Sequence, residues 1–113
     1  MFYELEVGDT VYKLRLTTRA LVSIEKALGY NPIQMFMNID RDNIPKLSEI
    51  LIMLHGMLIS LQHGITLDKV YDIFDKYTEE GHTQFDLIPI FMEVFTMSGF
   101  MSNAEEETEL KNA

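Results

Sequence analysis

Apolar and polar side chains alternate strictly near the start of the chain, where Glu4 and Glu6 separate Tyr3, Leu5 and Val7. A period of two is the mark of a half-buried strand. Gly8-Asp9 then fits a two-residue turn with glycine in the first central position. Together these predict an antiparallel hairpin within residues 1–16. The turn sets Val7 opposite Thr10, Leu5 opposite Tyr12, Tyr3 opposite Leu14 and Glu4 opposite Lys13. One face becomes apolar and the other charged, and a slip of one residue would undo both. A lone hairpin is marginal in water, so the Tyr3/Leu5/Tyr12/Leu14 face has to dock on the rest of the chain.

From Thr17 onward the period is helical. Leu21, Ile24 and Leu28 share one face, the Thr17-Thr18 pair can cap the start, and Gly29 can close the end, which predicts a helix over Thr18–Leu28. Pro32 can open a short second helix at 33–37. Asn43 is the expected cap of a third, with Pro45 in its first turn and Gly64 at its end. That helix carries Leu47, Leu51, Leu54, Leu58 and Leu61, widened by Ile50, Met53 and Met57. A helix apolar nearly all round is either central to the core or covered by another chain, and the core reading is preferred. Thr66 caps a fourth helix, with Leu67, Val70, Tyr71, Phe74 and Tyr77 as its apolar stripe and Asp72–Lys76 as a surface pair. A fifth is expected over 86–100, with Asp86 as its cap, Pro89 in its first turn, and Ile88, Phe91, Met92 and Phe95 facing inward. The fold class is therefore mainly α: about five helices around one core with an N-terminal antiparallel hairpin. Residues 1–101 are expected to form one domain, and 102–113, acidic and without apolar periodicity, a disordered tail.

Composition narrows the function. The chain has 113 residues, enough for one core without covalent staples. It contains no cysteine, which removes disulfides, thiolate metal sites and a cysteine nucleophile. The formal charge is −9, and the body stays acidic without Glu105, Glu106, Glu107 and Glu109 of the tail. An acidic body repels phosphate backbones and anionic lipid, so neither nucleic acid nor a membrane is an expected partner. Glu4 and Glu6 interrupt any N-terminal signal segment. The apolar run Ile50 to Leu61 is too short to span a bilayer.

Candidate chemistry is sparse. His55, His63 and His82 have no metal-site spacing and read as structural histidines. Asp40, Asp42 and Glu49 do not make a calcium loop, because Ile44 holds an acidic position and the obligatory glycine is missing. Glu79-Glu80 and Asp72/Asp75 read as solvated helix faces. No glycine-rich phosphate loop or nucleophile elbow is present, so no enzyme, cofactor or metal is expected. Methionine is the one compositional oddity. Met53 and Met57 suit the core, whereas Met35, Met37, Met97 and Met101 sit at element ends, where an adaptable thioether can serve a partner. With Phe100 these make the candidate partner-binding surface.

The segment Tyr12-Lys13-Leu14-Arg15-Leu16-Thr17-Thr18-Arg19-Ala20, then Ile24-Glu25-Lys26-Ala27-Leu28-Gly29 and Asn31-Pro32, resembles the opening of tail assembly chaperones from long-tailed bacteriophages and prophages of Gram-positive hosts. The later layout is similar: an apolar helix, a Gly64-Ile65-Thr66 break and an aromatic last helix ending near Gly99-Phe100. The resemblance implies a non-enzymatic protein of the bacterial host cytoplasm. It would coat the tape measure protein in several copies and keep it soluble until tail-tube subunits polymerise, and it would be absent from the finished tail. It also implies a longer form made by ribosomal frameshifting, for which Leu110-Lys111-Asn112 can encode a slippery site. Two rivals remain: an acidic regulatory or anti-defence protein that mimics DNA charge, which needs carboxylates along one face, and a small enzyme, which needs a polar cluster in a pocket.

Overall fold

A computed structural model describes residues 1–102. Two strands, β1 (Tyr3–Val7) and β2 (Thr10–Leu14), pair antiparallel in the expected register, with Tyr3 opposite Leu14, Leu5 opposite Tyr12 and Val7 opposite Thr10. Gly8 takes φ +62° and Asp9 has no positive φ, which is the turn that matches the twist of a tight hairpin. Leu5, Val7 and Leu14 are buried, while Tyr3 and Tyr12 are half-buried. Lys13 is the register partner of Glu4, but its ammonium lies over the Phe2 ring, 5.0 Å from the centroid.

Five helices follow: α1 (Thr18–Leu28), α2 (Pro32–Met37), α3 (Leu47–Ile59), α4 (Leu67–Glu79) and α5 (Gln84–Met97). The Thr17 hydroxyl accepts from the Ala20 N–H at 3.1 Å and starts α1. Gly29, at φ +82°, ends it, with its N–H donating to the Glu25 carbonyl at 2.8 Å. Asn31 Oδ1 accepts from the Ile33 N–H at 3.0 Å and starts α2, whose first residue is Pro32.

Two helix starts differ from expectation. Asn43 does not cap α3: its backbone N–H and its amide both donate to Asp40 Oδ1, at 3.0 and 3.1 Å, in a turn that precedes the helix. Pro45 then disfavours helical backbone at Ile44, and the first helical residue is Leu47. Asp86 is not the cap of α5 either. Thr83 is, and Asp86 Oδ2 accepts from the Thr83 N–H at 3.0 Å in a reciprocal box. Pro89 therefore lies inside the helix and leaves the Phe85 carbonyl without its intrahelical donor. Phe85 is exposed, so water can serve that carbonyl. Helix α5 also stops short of residue 100: Gly99 turns at φ +90°, and the N–H groups of Phe100 and Met101 fold back onto the Phe95 carbonyl.

Helix α3 is the centre of the molecule and packs against α1, α4, α5 and β2. Ile50, Leu51, Met53, Leu54, Met57 and Leu58 are all buried, so its broad apolar surface is core. Leu47 and Leu61, at the ends of its expected stripe, are exposed, and Leu61 lies beyond the helix. In α4 the buried arc is Val70, Ile73, Phe74 and Tyr77, so Tyr71 points outward and Ile73 takes its inward place. In α5 the inward set is Leu87, Phe91, Val94 and Phe95, with Ile88 and Met92 on its flank. Lys76 does not pair with Asp72, because its stem lies over Gly8, where a Cβ would stand 3.0 Å from Lys76 Cε. Apart from Tyr77, no hydroxyl-bearing, amide or charged residue is buried among the described residues.

Candidate functional site

The five residues of the candidate partner surface do not share one exposed face. Met35 and Met101 are core residues, at 8% and 6% exposure. Met35 turns inward because its neighbour Phe36 anchors α2, edge-on to Phe95 of α5 with ring centroids 5.2 Å apart. Met101 is drawn in by the turn at Gly99. Met97 and Phe100 are half-buried, and Phe100 packs against the same core. Met37 alone of the five is openly exposed.

Two more exposed apolar side chains follow Met37 along the chain. These are Ile44 and Leu47, at 55% and 40%. Ile44 also borders a cleft of about 250 Å³ between α2 and the start of α3, lined with it by Tyr30, Gln34, Met35, Asn38, Asn43, Pro45 and Glu49. One wall is fixed. The Tyr30 hydroxyl donates to Glu49 Oε2, while Glu49 Oε1 accepts from the Lys46 N–H at 2.7 Å. Burial, then the hydrogen bond to Glu49 and its charge, push the Tyr30 hydroxyl far above its ordinary range. It stays protonated and serves as a donor. The remaining polar groups are the carboxamides of Gln34, Asn38 and Asn43. Amides beside exposed apolar side chains suit hydrogen bonding to a polypeptide; they supply no nucleophile or general base.

Two of the three histidines make local contacts. His55 Nε2 lies 2.9 Å from the Ile65 carbonyl oxygen and ties α3 to the turn after it. His82 stacks on Tyr77 at 4.4 Å and sits 3.7 Å from Asp86. No group of His, Asp and Glu that could hold a metal occurs among the described residues.

Several contacts that fasten the hairpin have no signature in the sequence. Gln62, in the turn after α3, clasps Lys13 of β2: its Oε1 accepts from the Lys13 N–H at 2.7 Å, and its Nε2 donates to the Lys13 carbonyl at 2.8 Å. Glu80 accepts from the Gly8 N–H at 2.8 Å. Each links residues far apart along the chain, and exposed Gln and Glu are too common for their positions to single them out.

The architecture is a helical domain built on one apolar central helix, with a hairpin fastened to its side. The chain belongs to a family of unknown function, DUF6096, which it matches over residues 3–112. No curated protein and no solved structure matches it. No helix among the described residues is long and apolar enough to cross a membrane.

Proposed function

We propose that this protein is a non-enzymatic tail assembly chaperone that binds the tape measure protein of a long-tailed phage or prophage in the host cytoplasm. The reading is carried by the stretch from Tyr12 to Pro32. There the residues that resemble those chaperones each serve the local fold, since Thr17 caps α1, Gly29 ends it, and Asn31 caps α2 on Pro32. The exposed Met37, Ile44 and Leu47, with the amide-lined cleft that Ile44 borders, supply the contact, and several copies line up along one partner. Tail-tube subunits displace them as they polymerise. The Leu110-Lys111-Asn112 site, outside the described residues, is where a longer form would branch off.

Co-expression with a tape measure segment tests the reading. A soluble complex holding several copies of this chain is expected, and it should survive high salt because its contacts are apolar. Ile44→Asp should abolish retention while leaving the fold unchanged by circular dichroism, since Ile44 is exposed. A tape measure segment that remains insoluble, or no retention at either low or high salt, overturns the proposal.

A further inference from the structure

A two-stranded sheet has two outer edges, and here they are treated differently. Val7 and Thr10 flank a two-residue turn and so form a hydrogen-bonded pair; by alternation Leu5–Tyr12 and Tyr3–Leu14 are hydrogen-bonded too. The outward backbone groups therefore belong to Glu4 and Glu6 on β1 and to Val11 and Lys13 on β2. The Gln62 clasp on the Lys13 N–H and carbonyl agrees with this assignment and covers the edge of β2 at Lys13. No hydrogen bond from another element reaches the outward groups of Glu4 or Glu6 among the described residues.

That open edge does not face bulk solvent alone. It borders a groove of about 440 Å³ whose far wall is Tyr77, Glu80, His82 and Ile90. Exposed β edges are templates for an added strand. We propose that the outer edge of β1 receives an extended peptide segment of another protein, one that alternates basic and apolar residues, as a third strand. Charge selects this occupant. Glu4, Glu6 and Glu80 all border the groove, no lysine or arginine lines it, and no lysine or arginine pairs with a carboxylate among the described residues. Residues of the added strand opposite Glu4 and Glu6 share their face, so basic side chains there meet carboxylates. The residue between them turns inward with Leu5, towards Tyr77 and Ile90. A second copy of β1 would set glutamate against glutamate, which is unfavourable. Residues 103–113, with four glutamates and one lysine, are equally mismatched. The proposal does not rest on the chaperone reading, because its groove shares no residue with the cleft beside α2.

The test titrates the full chain with capped Lys-Val-Lys-Val-Lys, following backbone amides by NMR. Shifts and slowed hydrogen exchange at Glu4 and Glu6 are expected, and Glu-Val-Glu-Val-Glu should leave both amides unmoved. Peptides N-methylated only on lysine or only on valine separate strand pairing from loose charge attraction, because only one alternate set of N–H groups can face β1. Loss of binding with one methylated peptide and retention with the other supports the third strand. Equal binding of the two overturns it, as does no binding at low salt. Glu4→Gln/Glu6→Gln should weaken the lysine peptide roughly tenfold, two opposite-charge pairs being lost. An unchanged affinity in that variant also overturns the assignment.

Discussion

At Gly56 helix α3 lies directly against Ile24 of α1. A Cβ at that position would stand 2.4 Å from Ile24 Cδ1 and 2.5 Å from its Cγ1, so α3 can lie this near α1 only because the side chain is missing. Glycine inside a helix ordinarily costs about 1 kcal/mol relative to alanine. Here overpacking of about 1–3 kcal/mol opposes that gain. Gly56→Ala should therefore lower stability in urea titrations. In an Ile24→Ala background the same change should be neutral or stabilising, since the obstacle is gone and the helix preference remains. Tyr30 gives a second prediction. Its hydroxyl holds its proton far above the unfolded value of 10.0, so above that pH the folded chain binds more protons than the unfolded one. Stability is intact below about pH 10 and should fall as pH rises past it. Tyr77, also shifted upward by burial and then by Asp86 and Tyr3, contributes in the same direction. Tyr30→Phe should make the alkaline decline shallower in thermal melts recorded from about pH 9 to about pH 11. An unchanged slope would show that the Tyr30–Glu49 bond does not persist in solution.

Elements whose ends are written in local chemistry are legible in the sequence, and those whose ends depend on distant contacts are not. The hairpin register follows from alternation around Gly8-Asp9, and α1 follows from Thr17 and Gly29, because cap and stop lie within a few residues of the groups they satisfy. The start of α3 is ambiguous because Asn43 has two possible uses, cap or turn, and Asp40 decides between them. The start of α5 is ambiguous because Thr83 and Asp86 can each cap, and reciprocal bonding favours the earlier residue. The candidate surface is legible only at Met37. End positions say nothing about whether a chain doubles back, as it does at Gly99 to bury Met101. Gln62 makes the corresponding point for the sheet. Its carboxamide also donates to the Leu58 carbonyl at 2.6 Å, so the side chain is fixed before it meets β2. Gln62→Ala should cost about 1–3 kcal/mol, the sum of two or three partly exposed hydrogen bonds. It should also speed amide exchange at Lys13, whereas Glu4 exchange stays as it is.

At the scale of the whole molecule, α3 sets the outcome. Leu54 is 1% exposed at its middle, and Leu54→Asp would strand a charge among apolar side chains. The expected result is loss of the cooperative melt, and a variant that still melts cooperatively would mean this face is not sealed. The hairpin is tied into that core at its exit. The Arg15 N–H donates to the Met57 carbonyl at 3.2 Å, and the Leu16 N–H donates to Ser98 Oγ at 3.0 Å. Leu16 is 1% exposed, so Ser98→Ala leaves a buried donor unmet and should cost about 1–3 kcal/mol in chemical denaturation. The tie to Ser98 spans 82 positions, nearly the full described length. A ribosome delivers the chain in one direction, so the first two strands emerge long before the hydroxyl that completes their attachment. Until α5 has left the exit tunnel, Phe91, Val94 and Phe95 are also missing from the space they fill around α3. Nascent chains stalled before Gln84 should therefore stay protease-sensitive, and resistance should arrive in a single step once α5 has emerged.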